Sequence, residues 1–380
     1  MRTVSMDWEA IRAEFPITRN YNFQNHAAVA PMSRRACEAA RRYLAHCEEK
    51  ASVGGGFYRH ADQVRQLCAR LINANPDEVT FVKNTSEGLS MVANGLSWRN
   101  GDNVVSTNVE FPANVYPWQA LAARGVQLRT AIEEDGRIPL ERITELVNDR
   151  TRVVTISTVQ FASGFRADLA ALGRFCKDKG VFFCVDAIQS LGALPIDVEA
   201  MHIDFLSADA HKWLCGPEGI GIFYVRKDVQ GYLRPTTIGW ASMKNMLDFD
   251  HYQFEFHDDA RRYDSGAYNL PGVYGLGGCV ELLLEVGIDN IEQRVLHLTD
   301  CLVAGLRDKG YRVISSREPG EASPIVAFMS DAHDHEEVCD HLRAEHRIII
   351  TTRSGRLRAS PHFYNTPREI DQLVDVLPKH

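Results

Sequence analysis

The chain lacks the long apolar stretch that a membrane span requires, because no run in its 380 residues approaches roughly 20 consecutive apolar side chains. It also lacks an excess of positive charge. A net charge of -8 argues against a nucleic-acid partner, since phosphate binding requires a basic surface. Residues 1–15 contain no apolar signal-peptide core and are expected to form a short amphipathic helix. These absences predict a protein with neither a membrane nor a nucleic acid as partner.

Paired cysteines are also missing, because none of the nine cysteines lies in a Cys-x-x-Cys motif. Their number is odd and they are scattered, so neither a disulfide framework nor a metal site is expected. A reducing cytoplasm, with most cysteines in the core, is the simplest interpretation. The cysteines are Cys37, Cys47, Cys68, Cys176, Cys184, Cys215, Cys279, Cys301 and Cys339.

The chain does contain ample material for a core, since 45% of its residues are hydrophobic and 24% are charged. Short β-branched runs alternate with helical stretches between residues 76 and 226, which predicts an α/β fold with a mainly parallel sheet flanked by helices. The alternation then stops, and the last 110 or so residues have the pattern of a smaller α+β unit. We expect a large domain at 16–262 and a small α+β domain at 263–380 that includes residues 1–15.

Two charged residues are notable because each follows an apolar run that predicts a buried strand. Asp186 follows the run 181–185, and Lys212 lies between the run 205–208 and a glycine-rich turn. A buried acid and a buried amine are costly unless they serve a function. Pyridoxal 5'-phosphate (PLP) needs such a pair, a lysine for the imine and an acid for the ring nitrogen. A helix cap at Asp186 and a surface position for Lys212 are the alternatives.

The segment 83–90 contains a candidate phosphate site, because a strand is expected to end where Thr85 and Ser86 begin a helix. Free backbone N–H groups and the helix dipole at such an end favour an anion. An ordinary helix cap explains the same residues. Together with Lys212 the segment predicts a phosphate cradle, to which His211 adds a donor.

Three further residues are candidates that depend on the others for support. Phe111 follows a predicted strand and is suited to stacking on a planar ring, with ordinary core packing as an equal alternative. Arg353 and Arg358 lie in a short segment near the C-terminus. Arginine binds carboxylates through two parallel hydrogen bonds, although most arginines simply lie at the surface.

Taken together, these motifs resemble the class V aminotransferases, a branch of the fold-type-I PLP enzymes. The branch includes cysteine desulfurases, kynureninase-like proteins and isopenicillin-N-epimerase-like proteins. The resemblance spans nearly the whole chain and implies that Lys212 is the Schiff-base lysine and that Asp186 contacts the ring nitrogen. The cofactor-binding set that it implies is Thr85, Ser86, Phe111, Gln160, Asp186, Gln189, His211 and Lys212.

The resemblance also implies an amino-acid substrate and a homodimer with shared active sites. Residues 262–272 resemble the segment that reaches into a neighbouring subunit's site, and residues 358–366 resemble the segment that begins with the carboxylate-binding arginine. The implied substrate contacts are Asn25, His26, Tyr268, Asn269, Arg353 and Arg358, with Trp240 and His362 as further candidates for the pocket.

Departures from the family pattern limit which reaction is expected. Desulfurases stack a histidine on the ring and carry a cysteine shortly before the carboxylate-binding arginine, whereas this chain has Phe111 and no cysteine at 352–358. Asp209 and Ala267 stand where relatives have a serine and a threonine that bind phosphate. A persulfide-forming desulfurase is therefore a less favoured hypothesis.

The sequence predicts the step that PLP enzymes share, the breaking of a bond at Cα, but leaves the outcome open. We expect an enzyme that acts on a small amino acid or amino-acid conjugate as a C–S lyase or a transaminase. An amino-acid epimerase is the alternative. Lys212 argues against a non-catalytic binding protein, and the lack of G-x-G-x-x-G after an early strand argues against a dehydrogenase.

Overall fold

The structure is a computed structural model and describes residues 6–379. Its α-helices are α1 (Trp8–Arg12), α2 (Arg34–Lys50), α3 (Phe57–Leu71), α4 (Thr85–Gly95), α5 (Tyr116–Gln119), α6 (Leu140–Thr144), α7 (Leu169–Lys179), α8 (Leu270–Val286), α9 (Ile288–Asp308), α10 (His335–His346) and α11 (Pro367–Val376). Its strands are β1 (Asn22–Phe23), β2 (Val79–Val82), β3 (Asn103–Thr107), β4 (Gln127–Ala131), β5 (Thr151–Ser157), β6 (Phe182–Asp186), β7 (Phe205–Asp209), β8 (Gly221–Val225), β9 (Arg312–Val313), β10 (Val326–Met329), β11 (Ile348–Ile349), β12 (Thr351–Arg353) and β13 (Arg356–Ala359).

The largest sheet has seven strands in the order β2-β8-β7-β6-β5-β3-β4. The strands from β7 to β4 in this order run parallel, and only β8 is antiparallel to its neighbours. This arrangement confirms the predicted α/β fold with a mainly parallel sheet. The C-terminal ends of β3, β5, β6 and β7 therefore lie at one edge, where ligands bind in sheets of this kind.

The alternation of side chains in β6 explains why an unbroken apolar run precedes Asp186. Phe183 and Val185 pack into the core on one face of the sheet, whereas Cys184 packs into the core on the other. A strand covered on both faces must be apolar at every position, and the first polar position marks the point where it leaves the core. The acid at the end of β6 therefore faces the ligand-binding edge.

A second, antiparallel sheet has the order β12-β13-β10-β9 and encloses a separate core with α9, α10 and α11. Helix α8 follows the expected domain boundary at 262/263, but its buried side chains, such as Leu276 and Val280, join the core of the large sheet. The boundary stays a prediction, and the packing of α8 favours a later position.

The amphipathic helix expected at residues 1–15 is short, since α1 spans only Trp8–Arg12 and residues 1–5 lie outside the described part of the chain. It contacts the C-terminal unit, because Arg12 donates hydrogen bonds of 2.9 and 2.8 Å to the carboxylate of Glu369. Within the described residues no single helix is long and apolar enough to cross a membrane. Helices α8 and α9 meet that criterion only as a pair bent by 80°.

The sequence interpretation does not include helices α2, α3 and α6 or strand β4. Helices α2 and α3 cover one side of α8 and carry many charged residues on their outer faces. The signal for α2 was present in Ser33, whose hydroxyl accepts from the backbone N–H of Ala36 and caps the helix. The predicted helix at 116–124 is a four-residue α5 followed by a 3-10 turn.

Candidate active site

A cavity of about 340 Å³ lies at the C-terminal edge of the large sheet. It brings together predicted residues from three strands of the large sheet or their following turns, from the start of α4 and from the second sheet. The predicted residues that line it are Thr85, Ser86, Phe111, Asp186, Gln189, His211, Lys212, Arg353 and Arg358. A second cavity of about 480 Å³ beside α6 and α7 is lined mainly by aliphatic side chains and contains no amine.

Asp186 ends β6 and is almost completely buried. Its Oδ1 accepts a hydrogen bond of 3.0 Å from the backbone N–H of Ile188, whereas its buried Oδ2 has no hydrogen-bond partner. Burial raises the pKa of this carboxyl to about 7. A buried carboxylate oxygen without a donor is costly. A ligand with a cationic N–H group would remove that cost.

Lys212 follows β7 by three residues and is also buried. Burial lowers the pKa of its amine to about 8, although the nearby charge of Asp186 opposes that shift. Its Nζ lies 5.5 Å from the centroid of the Phe111 ring. A substantial fraction of this amine is therefore neutral near physiological pH, which is the form that acts as a nucleophile or as a base.

Substitution of Asp186 by asparagine should reveal the raised pKa in the cofactor-free protein. An aspartate ionises near 3.8 in the unfolded chain and near 7 in the folded one, so the folded state loses stability as pH rises between these values. Between pH 5 and 7 we expect the free energy of unfolding of the wild type to fall by about 2 kcal/mol relative to Asp186→Asn. Urea denaturation at a series of pH values measures this, and parallel pH profiles would contradict it.

The phosphate end predicted at 83–90 is formed by the N-terminus of α4, which is capped by the side chain of Asn84. The helix lies close against β7, since a Cβ on Gly88 would be only 2.3 Å from Oγ of Ser207. The backbone N–H of Asp209 donates to the hydroxyl of Thr85 over 3.0 Å. Thr85 and Ser86, the first two residues of the helix, line the cavity, and the N–H groups at a helix N-terminus favour an anion.

Asp209 faces the same end of the cavity, as its position in the sequence implied. Its Oδ1 accepts from the backbone N–H of Ala210 at 2.9 Å and lies 3.1 Å from Nδ1 of His211. The second contact is an ion pair only when His211 is protonated, and its geometry is not that of a hydrogen bond. A protonated His211 therefore offsets the negative charge of Asp209, which lies beside the N-terminus of α4.

Phe111 lies at the mouth of the cavity and is 42% exposed, so it is not an ordinary core residue. Its ring packs edge-to-face with that of Phe161 at a centroid distance of 5.3 Å. Phe161 lines the cavity too, and sequence reasoning missed it although it directly follows Gln160. A flat ligand would therefore meet an aromatic surface on this side.

Arg358 is only 1% exposed, and β13 carries it into the cavity. One guanidinium nitrogen, Nη1, donates to the carbonyl of Phe161 over 2.8 Å, but Nε and Nη2 are buried without partners. Burial, and to a lesser extent the charge of Arg353, lowers the pKa of Arg358 to about 9. Two free donors in a fork match a carboxylate. Arg353 itself is exposed at the rim.

Gln189 lines the cavity, but both polar atoms of its amide already make a hydrogen bond within the protein. Its Nε2 donates to the carbonyl of Ala27 over 3.1 Å, and its Oε1 accepts from the indole N–H of Trp213 at 3.1 Å. One amide hydrogen remains for a ligand oxygen. Its role toward the cofactor stays a prediction.

Three predicted residues do not line the cavity. Nε2 of Gln160 donates to the buried carboxylate of Glu110 over 2.8 Å, whereas its Oε1 is buried without a partner. His26 is fully buried, with Nδ1 2.8 Å from the carbonyl of Ser360 and Nε2 2.6 Å from the hydroxyl of Tyr364. His362 uses Nε2 toward the carbonyl of Trp213. These side chains make hydrogen bonds within the core, and the spacing of residues in the sequence does not reveal such bonds.

Four other predicted residues lie outside the cavity lining. Tyr268 donates to Asp264 over 2.7 Å, and Asn269 caps α8. Trp240 is partly exposed in a 3-10 turn, and Asn25 has a buried Oδ1 without a hydrogen-bond partner. Tyr268 and Asn269 belong to the segment expected to reach a second subunit, and the roles of all four residues stay predictions.

The cavity fits PLP by the chemistry of its groups. It offers an unpartnered carboxylate oxygen for a ring N–H, a buried amine for an aldehyde, an aromatic surface for the ring and a helix N-terminus for the phosphate. Residues 27–29, Asn84, Ala113 and Ile188 complete the lining. The sequence signal for residues 27–29 was the Asn-His-Ala-Ala segment at 25–28, and the signal for Asn84 was the helix cap at the start of α4.

Comparisons with known proteins agree with this assignment. A family model described as aminotransferase class V matches residues 21–373. A probable cysteine desulfurase from Methanothermobacter thermautotrophicus is 32% identical, and the alignment covers 98% of each chain. The apo structure of a cysteine desulfurase from Thermococcus onnurineus has a TM-score of 0.87 at 26% identity and covers 97% of this chain and 96% of its own.

The cystine C–S lyase C-DES, solved with cysteine persulfide, superposes with a TM-score of 0.88 over 96% of this chain and 98% of its own, but its 24% identity supports the fold alone. The fold and these comparisons define the protein as a PLP-dependent enzyme of fold type I. Within that class, the chain belongs to the class V aminotransferases.

Proposed function

We propose that the enzyme cleaves the C–S bond of a small sulfur-containing α-amino acid by β-elimination, without carrying a persulfide on its own chain. The observation that carries this proposal is one cavity that joins the amine of Lys212, the free Oδ2 of Asp186 and the free donors of Arg358. Relatives named cysteine desulfurases favour C–S cleavage over the epimerase alternative.

Each of the three residues has a distinct part in this reaction. Arg358 binds the substrate carboxylate through Nε and Nη2, which directs the amino group and Cα toward Lys212. Lys212, whose pKa burial lowers, takes the proton from Cα. Asp186 Oδ2, which is buried without a partner, would accept a hydrogen bond from a ring N–H and stabilise its protonated form. When bound, PLP supplies the sink for the electron pair left on Cα.

The sulfur group then leaves Cβ with the electrons of the C–S bond, and water converts the remaining enamine to a keto acid and ammonia. A protein persulfide would need a thiolate near that sulfur. No cysteine is found among the described residues that line the cavity. Cys339, the nearest one upstream of Arg358 in sequence, lies in α10, and burial raises the pKa of its thiol to about 12. The sulfur is therefore released to solvent, as sulfide from cysteine or as a persulfide from cystine.

A single-turnover assay of the holoenzyme with L-cysteine, L-cystine and L-alanine tests the proposal. With the sulfur amino acids we expect one keto acid and one ammonia for each sulfide or persulfide released, and no persulfide on the protein by mass spectrometry. Conversion of the cofactor to its amine form without sulfide would instead assign a transaminase. An inverted amino acid would assign an epimerase, and a protein persulfide a desulfurase of the more usual kind.

We also propose that the enzyme is a homodimer. The segment 238–254 exposes a group of large apolar side chains, among which Tyr252 is 94% exposed. Contiguous exposed apolar surface of this kind is typical of protein–protein contacts. The group consists of Ile238, Trp240, Leu247, Phe249, Tyr252 and Phe254. Tyr268 and Asn269 follow in the segment expected to reach the neighbouring site, so an amino-acid substrate would meet both subunits.

A reducing compartment such as the cytoplasm is proposed on the state of the cysteines. All nine are free, and five of them are buried. Burial raises the pKa of thiols such as Cys68 and Cys176 to about 12, which keeps them protonated and unreactive.

A further inference from the structure

A buried carboxylate that the reaction does not use lies directly behind the aromatic wall of the cavity. Glu110 precedes Phe111 and is only 6% exposed. Its Oε1 accepts from the backbone N–H of Ser157 at 2.9 Å and from Nε2 of Gln160 at 2.8 Å. Its Oε2 accepts from Nδ2 of Asn114 at 3.0 Å and from the hydroxyl of Ser157. The hydroxyl of Thr107 donates to Oε1 as well, over 3.5 Å, so five donors converge on two oxygens.

The backbone N–H of Ser157 and the amides of Asn114 and Gln160 can only donate, so they favour an ionised carboxylate. An amide at this position would direct an N–H group toward one of these donors, whereas a protonated acid would have only a hydroxyl to donate to. Burial by itself raises the pKa of Glu110, and the hydrogen bonds from these donors oppose that shift. The charge also raises the pKa of Asp186, so the fold retains a second buried acid near the first. Perturbed, buried acids of this kind concentrate at functional sites.

The contacts of Glu110 lead to two separate parts of the cavity. On one side, the backbone N–H of Asn114 donates to the carbonyl of Phe111 over 2.8 Å and closes the turn that carries Phe111. The side chain of Asn114 binds Glu110 through Nδ2 and accepts at Oδ1 from the hydroxyl of Thr155 on β5 at 2.7 Å. On the other side, Gln160 precedes Phe161, whose carbonyl accepts from Nη1 of Arg358. The rings of Phe111 and Phe161 meet edge-to-face.

We propose that Glu110 is a positioning residue that aligns the ring-stacking wall with the carboxylate-binding arginine. It holds Phe111 through the turn closed by Asn114. It holds Arg358 through Gln160 and the carbonyl of Phe161. The proposal rests on the proposed function, because it assumes that the cofactor ring lies on Phe111 and that the substrate carboxylate binds Arg358.

Substitution of Glu110 by glutamine tests this in the holoenzyme, with L-alanine and ethylamine as probes. The two amines differ by the carboxylate, so the ratio of their dissociation constants, measured from the cofactor absorbance, reports the contribution of Arg358. We expect Glu110→Gln to lower the preference for L-alanine roughly 10-fold, since misplacing a charge-assisted hydrogen bond typically costs about that factor. The visible circular dichroism of the cofactor should change as well, because Phe111 shifts.

A second variant separates the two arms and does not depend on Glu110→Gln folding well. Gln160→Leu breaks only the arm toward Arg358, so the preference for L-alanine should fall while the circular dichroism of the cofactor stays that of the wild type. Asp204→Asn is the matched control. It alters a buried carboxylate at the start of β7, where Oδ2 accepts from the backbone N–H of Phe183 at 2.8 Å. It should lower the melting temperature without changing the preference.

The proposal would be overturned if both Glu110→Gln and Gln160→Leu kept the wild-type preference for L-alanine over ethylamine. It would also be overturned if Asp204→Asn changed that preference by as much as they do. A wild-type protein that fails to bind PLP, or that shows no preference for L-alanine, would instead remove the proposed function on which the inference rests.

Discussion

Substitution of Lys212 by alanine is expected to abolish covalent attachment of the cofactor and to lower turnover by at least about 10⁴-fold. The buried amine is the nucleophile and base that the cavity offers, and burial lowers its pKa. Reduction of the wild-type holoenzyme with borohydride should fix the cofactor on the peptide that contains Lys212, and peptide mass spectrometry identifies it.

Lys179→Ala provides the control, since this lysine is exposed at the end of α7. It should leave both the adduct and the turnover unchanged. An adduct on another lysine in the wild type would contradict the assignment, as would a Lys212→Ala protein that retains turnover.

Substitution of Arg358 by methionine should separate amino-acid binding from stability. We expect affinity for the amino acid to fall by about 10²–10³-fold, because the carboxylate loses a bidentate partner inside the protein. The free energy of unfolding of the cofactor-free protein should stay equal or rise. A buried guanidinium with two unpartnered donors destabilises the fold, and methionine fills a similar volume.

Arg65→Met is the informative comparison for that variant. Arg65 is also buried, but it pairs with Asp264 at 3.3 Å and donates to the carbonyl of Val79. Its loss leaves a buried carboxylate without its cation, which should cost about 3–5 kcal/mol of stability. If Arg358→Met were equally destabilising and left amino-acid affinity intact, Arg358 would be a structural residue.

Much of the fold follows from local patterns. The strands of the large sheet other than β4 lie within one or two residues of the apolar runs that predict them. The runs 181–185 and 205–208, for example, correspond to β6 and β7, because strands buried on both faces must be continuously apolar. Helices α2 and α3 were missed because they are rich in charged residues and their narrow apolar faces pack on α8, which is distant in sequence. Strand β4 lies at the sheet edge, where its exposed positions interrupt the apolar run.

The predicted site residues divide in the same way, into those that local sequence identifies and those whose placement depends on contacts distant in sequence. Thr85 and Ser86 were recognisable because a helix N-terminus has a local signature. Gln160 and His26 do not line the cavity, because their polar atoms bond to groups far away in sequence, Glu110 in one case and Ser360 and Tyr364 in the other, and their roles stay predictions. A polar residue in a family motif has the same appearance whether it faces a ligand or the core.

The sequence by itself identified Asp186 and Lys212 as the candidate acid and amine. Both follow apolar runs, and a buried charge without a function would be too costly. Those two residues already imply the cofactor. Only the tertiary structure decided which donors are left free for a substrate. Arg358 keeps Nε and Nη2 unpaired because Phe161 occupies one nitrogen alone, and Phe161 lies there because Gln160 is held by Glu110. The contacts that link residues 110, 160, 161 and 358 leave no trace in sequence spacing, since they form only where the segments after β3 and β5 meet strand β13.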